Sequence, residues 1–252
     1  MPQQIAPDSH DPTLGSPAEE ASSLTDCRIL QTLPKHESAV FATNATDNTE
    51  PVGTFHYATL VRNRLRLQVV TSWQVSSGNR EVLTRVAHLL GRASQGIGAD
   101  IWSVTTETTT VEIILHGPHA LRLLWCRDGR YTCDGKVQRD EGTHWPCTCP
   151  ASLAERRTAT RHGRGCEPRV EVFFQLAQDP ALGMFTFVSG SWSFAEQVIN
   201  ARNALHANSQ LTRARLSLWR TYHRLHSGRT LTYTRPALAL VGTPSQEPHH
   251  AA

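Results

Sequence analysis

The chain has 252 residues, 39% of them hydrophobic, enough apolar material for one large domain or two small ones with a genuine core. No stretch approaches the roughly 18 consecutive apolar residues of a membrane span, and Met1 to Gly15 is polar and proline-rich, so a soluble, cytoplasmic protein is expected. The formal net charge of +3 hides an asymmetry: residues 1–50 hold 8 acidic and 2 basic residues, leaving 23 basic and 14 acidic residues for the rest, most of the basic ones arginine. A basic body of this kind suits DNA or an acidic partner surface, and equally an ordinary solvated exterior.

Residues 1–50 are rich in Pro, Ser, Thr, Asn and Ala, with few large apolar side chains. Such a segment cannot bury enough surface to offset chain entropy, so it is expected to be disordered apart from a short element around Cys27 to Leu33. Structure should begin near Val52. From Thr54 to Val75 the pattern is strand-like: Phe55, Tyr57 and Thr59 alternate, Arg62-Asn63-Arg64 makes a turn, and Leu65, Leu67 and Val69 share a face, which reads as a hairpin. Val82, Val86, Leu89 and Leu90 fall at helical spacing, with Ser77 or Asn79 as caps before them and Gly91 after. Trp102 to Leu115 and Leu121 to Trp125 return to strand character.

Residues 126–168 interrupt this order, carrying Gly, Pro, Cys and Arg with almost no apolar periodicity, so that some linkage other than a hydrophobic core must order them. Strands resume at Arg169 to Phe174 and Gly183 to Ser189, joined by a turn at Asp179-Pro180. Ser193 to Ala207 reads as a helix capped by Ser193, with Glu196 as its capping-box partner and Phe194, Val198, Ile199 and Leu205 as its apolar side. Leu211 to Leu240 can be read as a helix continuing to Leu225. The alternation of Leu216 and Leu218 and the turn-forming His226-Ser227-Gly228-Arg229 favour a hairpin. The tail 243–252 is expected to be disordered. The whole reads as an α+β, strand-rich domain over 51–242 with two main helices and a Cys-rich insertion at 126–168.

Six cysteines without a secretory leader argue for thiols or a metal instead of a disulfide framework. Four of them, Cys133, Cys147, Cys149 and Cys166, have the spacing Cys-x13-Cys-x-Cys-x16-Cys. Four thiolates can close a tetrahedral structural zinc site, which supplies folding energy where a core cannot. Cys147-x-Cys149 has one intervening residue where a zinc knuckle has two, His144, His162 and Cys126 compete as ligands, and reduced thiols packed as small hydrophobes are the alternative. A closed four-ligand site has no open position for water, so the zinc would be structural and not catalytic.

The order of landmarks resembles the actinophage recombination directionality factors, proteins that act on large serine integrases. The resemblance is carried by Val69 to Leu90, the Trp102 strand, Cys133-Asp134-Gly135, Cys147-Thr148-Cys149, Cys166-Glu167-Pro168 with the Arg169 strand, and Leu182 to Ser191 with the Ala195 helix. The stretch Leu216 to Leu240, where Gly228-Arg229-Thr230 introduces a strand ending in Pro236-Ala237-Leu238, extends it, so that it covers about residues 52–242. The chain departs from that pattern in its long N-terminal segment, in a poorly matched opening at Val52 to His56, and in Phe185 where a Trp is expected.

The resemblance implies a non-enzymatic protein of phage or prophage recombination. Such a protein binds a large serine integrase already on DNA and biases it toward excision, with a weak direct DNA contact at most and neither a membrane nor a small-molecule substrate involved. For the partner surface the sequence offers Arg213, Arg215, Arg220 and Arg224, in a stretch with no acid between Glu196 and Glu247, and Trp219 and Tyr222 as aromatic anchors. Both aromatics could instead be core residues of a terminal hairpin. Two rival functions stand beside this one: a zinc-stabilised nucleic-acid-binding module that needs no integrase, and a hydrolase using Asp134, Glu141, His144 and His162 around a metal with fewer than four thiol ligands.

Overall fold

The computed structural model of the chain describes residues 50–61, 66–91, 94–96, 102–127, 131–140, 143–207, 211–224 and 230–241. The expectations for residues 1–49, for the turns at 62–65 and 225–229 and for the tail 243–252 lie outside them.

The first hairpin pairs β1 (Gly53–Val61) with β2 (Arg66–Ser77) antiparallel, with a register shift between His56 and Ala58. Helix α1 (Arg80–Leu90) follows, capped by Asn79, whose side chain accepts hydrogen bonds from the Glu81 and Val82 amides. It stops at Gly91, where φ is +95°, a conformation that costs a residue with a Cβ. A Cβ there would also stand 2.6 Å from Glu107 Cγ. Val82, Leu83, Val86 and Leu90 form the buried stripe that the spacing predicts.

The short strands β3 (Ser94–Gly96) and β4 (Trp102–Thr105) extend the sheet beyond β2. On the other side of β1 lies β11 (Phe185–Ser189) in parallel, then β10 (Glu167–Leu176) antiparallel to it. Along its free edge β10 meets two partners in succession: β6 (Leu121–Arg127) over 167–172 and β5 (Thr110–His116) at 175–176. From β5 a second sheet grows through β12 (Leu211–Arg224) to β13 (Thr230–Leu240), so the ambiguous last segment is a hairpin. Residues Leu216 and Leu218 on β12 alternate inward with Ala214, which is why the period-two reading holds over the helical one.

One core collects the inward faces of both sheets and the buried sides of α1 and of α3 (Trp192–Ala207). Its centre is aromatic: Phe55 lies 5.2 Å from Phe174 and 5.9 Å from Trp73, and Phe187 lies 5.3 Å from Trp73 and 5.5 Å from Phe194, all edge to face. Helix α3 begins one residue before Ser193, and its cap is Ser191, whose Oγ accepts from the Phe194 amide at 3.4 Å. The expected capping box is absent because Ser193 already sits in the first turn, and Glu196 is exposed.

Candidate metal centre and interaction surface

The Cys-rich insertion has more regular structure than its composition suggests. Strands β7 (Tyr131–Cys133), β8 (Val137–Asp140) and β9 (Thr143–Pro146) continue the sheet outward from β6 as an antiparallel meander. A third helix, α2 (Leu153–Arg161), follows. It has no apolar stripe, and so its periodicity is silent, but its start carries a legible signal. Ser152 Oγ accepts from the Glu155 amide at 3.2 Å and the Glu155 carboxylate meets the Ser152 hydroxyl at 2.8 Å, a side-chain-to-side-chain variant of the Ser-x-x-Glu capping box.

This framework brings four thiols together. Cys133 ends β7, Cys147 and Cys149 follow β9, and Cys166 precedes β10. Cys147 Sγ lies 3.1 Å from Cys133 Sγ, and Cys149 Sγ lies 3.2 Å from Cys166 Sγ. The thiols of Cys133, Cys149 and Cys166 are mutually within 4.8 Å, a group able to hold a metal ion, with Cys133 and Cys166 buried. All four are free thiols. Their separations are far from the roughly 2.05 Å of a disulfide. Both pairs fall short of the roughly 3.8 Å edge of a four-sulfur tetrahedron with Zn–S bonds of about 2.3 Å, while Cys147 stands outside the group whose thiols are all mutually within 4.8 Å, so holding an ion with all four would require the pairs to open and Cys147 to move toward the rest of the group.

Hydrogen bonds from backbone amides hold the thiol-bearing loops. Asp134 Oδ1 accepts from the amides of Lys136 and Val137, each at 2.8 Å, which turns the chain between β7 and β8. The Cys147 amide donates to Lys136 O at 2.8 Å. Cys166 can return to the cluster because Gly165 has no side chain: a Cβ there would stand 2.5 Å from the amide nitrogen of Thr160.

Around the thiols lie Trp125 and Trp192, ring centroids 5.7 Å apart, with Leu123 and Leu153 packed alongside. In these surroundings the interaction with Cys166 and then burial push the Cys133 thiol well above its ordinary value, and burial raises that of Cys149. A bound divalent cation would displace the thiol protons, since a coordinating thiol is ionised outright. Cys126, on the strand β6 next to Trp125 and so on the opposite face, lies outside the cluster, with its thiol pushed up to about 11 by burial. His162 is exposed at the end of α2, whereas the His144 side chain and Glu141 lie outside the described residues.

In the second sheet β12 pairs with β5 only over 211–217, and from Trp219 outward its strand partner is β13 alone among the described residues. Past Leu218, the last buried residue on its inner face, β12 places Arg220, Tyr222 and Arg224 in solvent. Its other face carries Arg213, Arg215 and Trp219, all exposed, with Arg215 3.8 Å from Glu112 of β5. Trp219 is 39% and Tyr222 62% exposed, so neither is a core residue. The sequence reading missed Trp145, 61% exposed on β9 beside the thiol cluster, and no pattern in the sequence marks it. Among the described residues no helix is long and apolar enough to cross a membrane.

Helix α3 joins the two regions. Trp192 at its start packs in the thiol cluster, Phe194 in the main core, and Gln197 Oε1 accepts from the Leu238 amide of β13 at 2.9 Å.

No solved structure matches the chain. A family model does, over residues 42–239, from ahead of β1 to the end of β13, and by that match the chain belongs to the Gp3-like, recombination directionality factor-like family.

Proposed function

We propose that this protein binds a large serine integrase on DNA and biases it toward excisive recombination, working in the cytoplasm on phage or prophage attachment sites. The family match over residues 42–239 carries this reading. The mechanism is differential binding without chemistry: a factor that prefers one of two integrase arrangements by about 5.5 kcal/mol moves a 1:99 population to 99:1, within reach of a single protein interface.

The β12–β13 hairpin is the surface we assign to the partner. Arg213, Arg215, Arg220 and Arg224 supply charge, while Trp219 and Tyr222 supply the large, partly exposed aromatic area that dominates binding hot spots. Zinc held by Cys133, Cys147, Cys149 and Cys166 has a structural part: it orders the insertion and, through Trp192, anchors the start of the helix that supports β13. Those four residues would hold the ion, and the chemistry it supplies is cross-linking alone. The Asp134 carboxylate, engaged by two backbone amides, is committed to its turn and makes a poor catalytic base.

Purified chain, integrase and hybrid attachment sites test the proposal together: the chain should switch on recombination between hybrid sites, and unchanged affinity and unchanged site choice would refute it. The exposed arginines favour one other reading, a nucleic-acid-binding module acting alone. That reading requires tight, steeply salt-dependent binding to DNA in the absence of integrase, whereas the proposal expects weak binding there.

A further inference from the structure

Helix α2 is hydrophilic throughout, and the one side chain it buries is an arginine, Arg156, 4% exposed. Arginine is almost never fully buried unless paired, yet among the described residues no carboxylate lies within salt-bridge distance of Arg156. Its guanidinium carbon sits 4.4 Å over the Trp125 ring, and Nη2 donates to Gly135 O at 3.3 Å. Among the described residues, buried Nη1 has no hydrogen-bond partner. A ring face and one carbonyl offset only part of the cost of taking this cation out of water.

Both groups that the guanidinium meets here, the Trp125 ring and the Gly135 carbonyl, adjoin the thiol cluster. Trp125 faces Cys133 across the β6–β7 register, Gly135 follows Cys133 by two residues, and Trp125, Cys133 and Cys166 share one buried cluster. On the next turn of α2, Thr160 Oγ1 lies 2.9 Å from the Arg156 carbonyl oxygen and 3.0 Å from that of Cys166, which ties the helix to the ligand loop. A divalent ion held by four thiolates is a dianion. Burying that charge between two tryptophans is costly, just as burying a lone guanidinium is, and each offsets the other.

We propose that Arg156 is the built-in counter-charge of a dianionic four-thiolate centre, a group outside the ligand set that makes the site select a divalent, thiol-binding cation. The inference rests on reading Cys133, Cys147, Cys149 and Cys166 as metal ligands. The coupling runs both ways: the filled site neutralises the cation, and the cation raises the affinity for the metal.

The test uses the full chain with Arg156→Gln and Arg156→Lys, zinc affinity being measured by competition with a chromophoric chelator and the ligand set by the cobalt–thiolate charge-transfer band. Arg156→Gln should lose about 10- to 100-fold in affinity with the band unchanged in shape, and Arg156→Lys should stay within about threefold of wild type. Wild-type affinity in the Gln variant overturns the proposal, as does an equal loss in both variants, which would make ring stacking and not charge the cause. If the Gln variant fails to fold in zinc, the Lys variant decides alone: retained affinity supports the proposal, and a tenfold loss overturns it. Absence of a cobalt–thiolate band in the wild type removes the metal centre itself, a result distinct from any of these.

Discussion

Replacing Cys149 by Ser should separate the insertion's stability from that of the main domain. The buried apolar content of the thiol cluster amounts to Trp125, Trp192, Cys133 and Cys166, with few partners alongside, whereas the main core draws on both sheets and two helices. A structural zinc in small domains contributes about 10–16 kcal/mol, so one ligand of four is worth roughly 2.5–4 kcal/mol, or two to three decades in metal affinity. Limited trypsin digestion reads this directly, because Lys136, Arg156, Arg157, Arg161 and Arg164 all lie within the insertion. In Cys149→Ser, and in the wild type with a strong chelator, cleavage should become rapid between residues 131 and 166 while the rest of the domain stays resistant. Cys126→Ser, outside the cluster, should behave like wild type. Equal protection of Cys149→Ser and wild type, with and without chelator, would refute the idea that metal orders this segment.

Phe187→Ala removes edge contacts to Tyr57, Trp73 and Phe194 from the centre of the core and should cost about 3–5 kcal/mol in denaturant unfolding. Tyr222→Ala should leave stability within about 0.5 kcal/mol but weaken integrase binding by 2 kcal/mol or more, on the order of 30-fold in a binding titration. His56, 2.8 Å from Ser76 Oγ, has its pKa lowered by burial from 6.5 to about 4. Its neutral form is the one the fold prefers, so its contribution is complete above about pH 6.5 and is lost as pH falls toward 4, by up to about 3 kcal/mol. In His56→Gln the stability profile measured between pH 4 and 6.5 should be correspondingly flatter.

Elements whose information is local were legible in the chain itself. Asn79, the Val82–Leu90 stripe and Gly91 mark α1 because capping and a helical face are properties of neighbouring residues, and the strand pattern along 169–174 marks β10 for the same reason. The four cysteines stood out as ligand types in a segment without apolar periodicity. Helix α2 was hidden because its buried residue is an arginine and so it has no stripe, although Ser152 and Glu155 announce its start. The sequence does not distinguish Ser191 from Ser193 as the cap of α3, since the two are the same residue type two positions apart, and only the backbone decides between them.

Other properties have no local signature. That β10 trades β6 for β5 along one edge, and so begins a second sheet, depends on pairings between residues far apart in the chain. The exposure of Trp219 and Tyr222 follows from where β5 stops, not from anything in β12. Arg156 reads in the sequence as one more surface charge, and only the tertiary structure, which sets it over Trp125 of β6 and against Gly135 between β7 and β8, buries it next to the cluster that holds Cys133 and Cys166. Periodicity and capping are set by neighbours along the chain, whereas burial and electrostatic pairing are set by neighbours in space, and those exist only once the sheets have closed on one another.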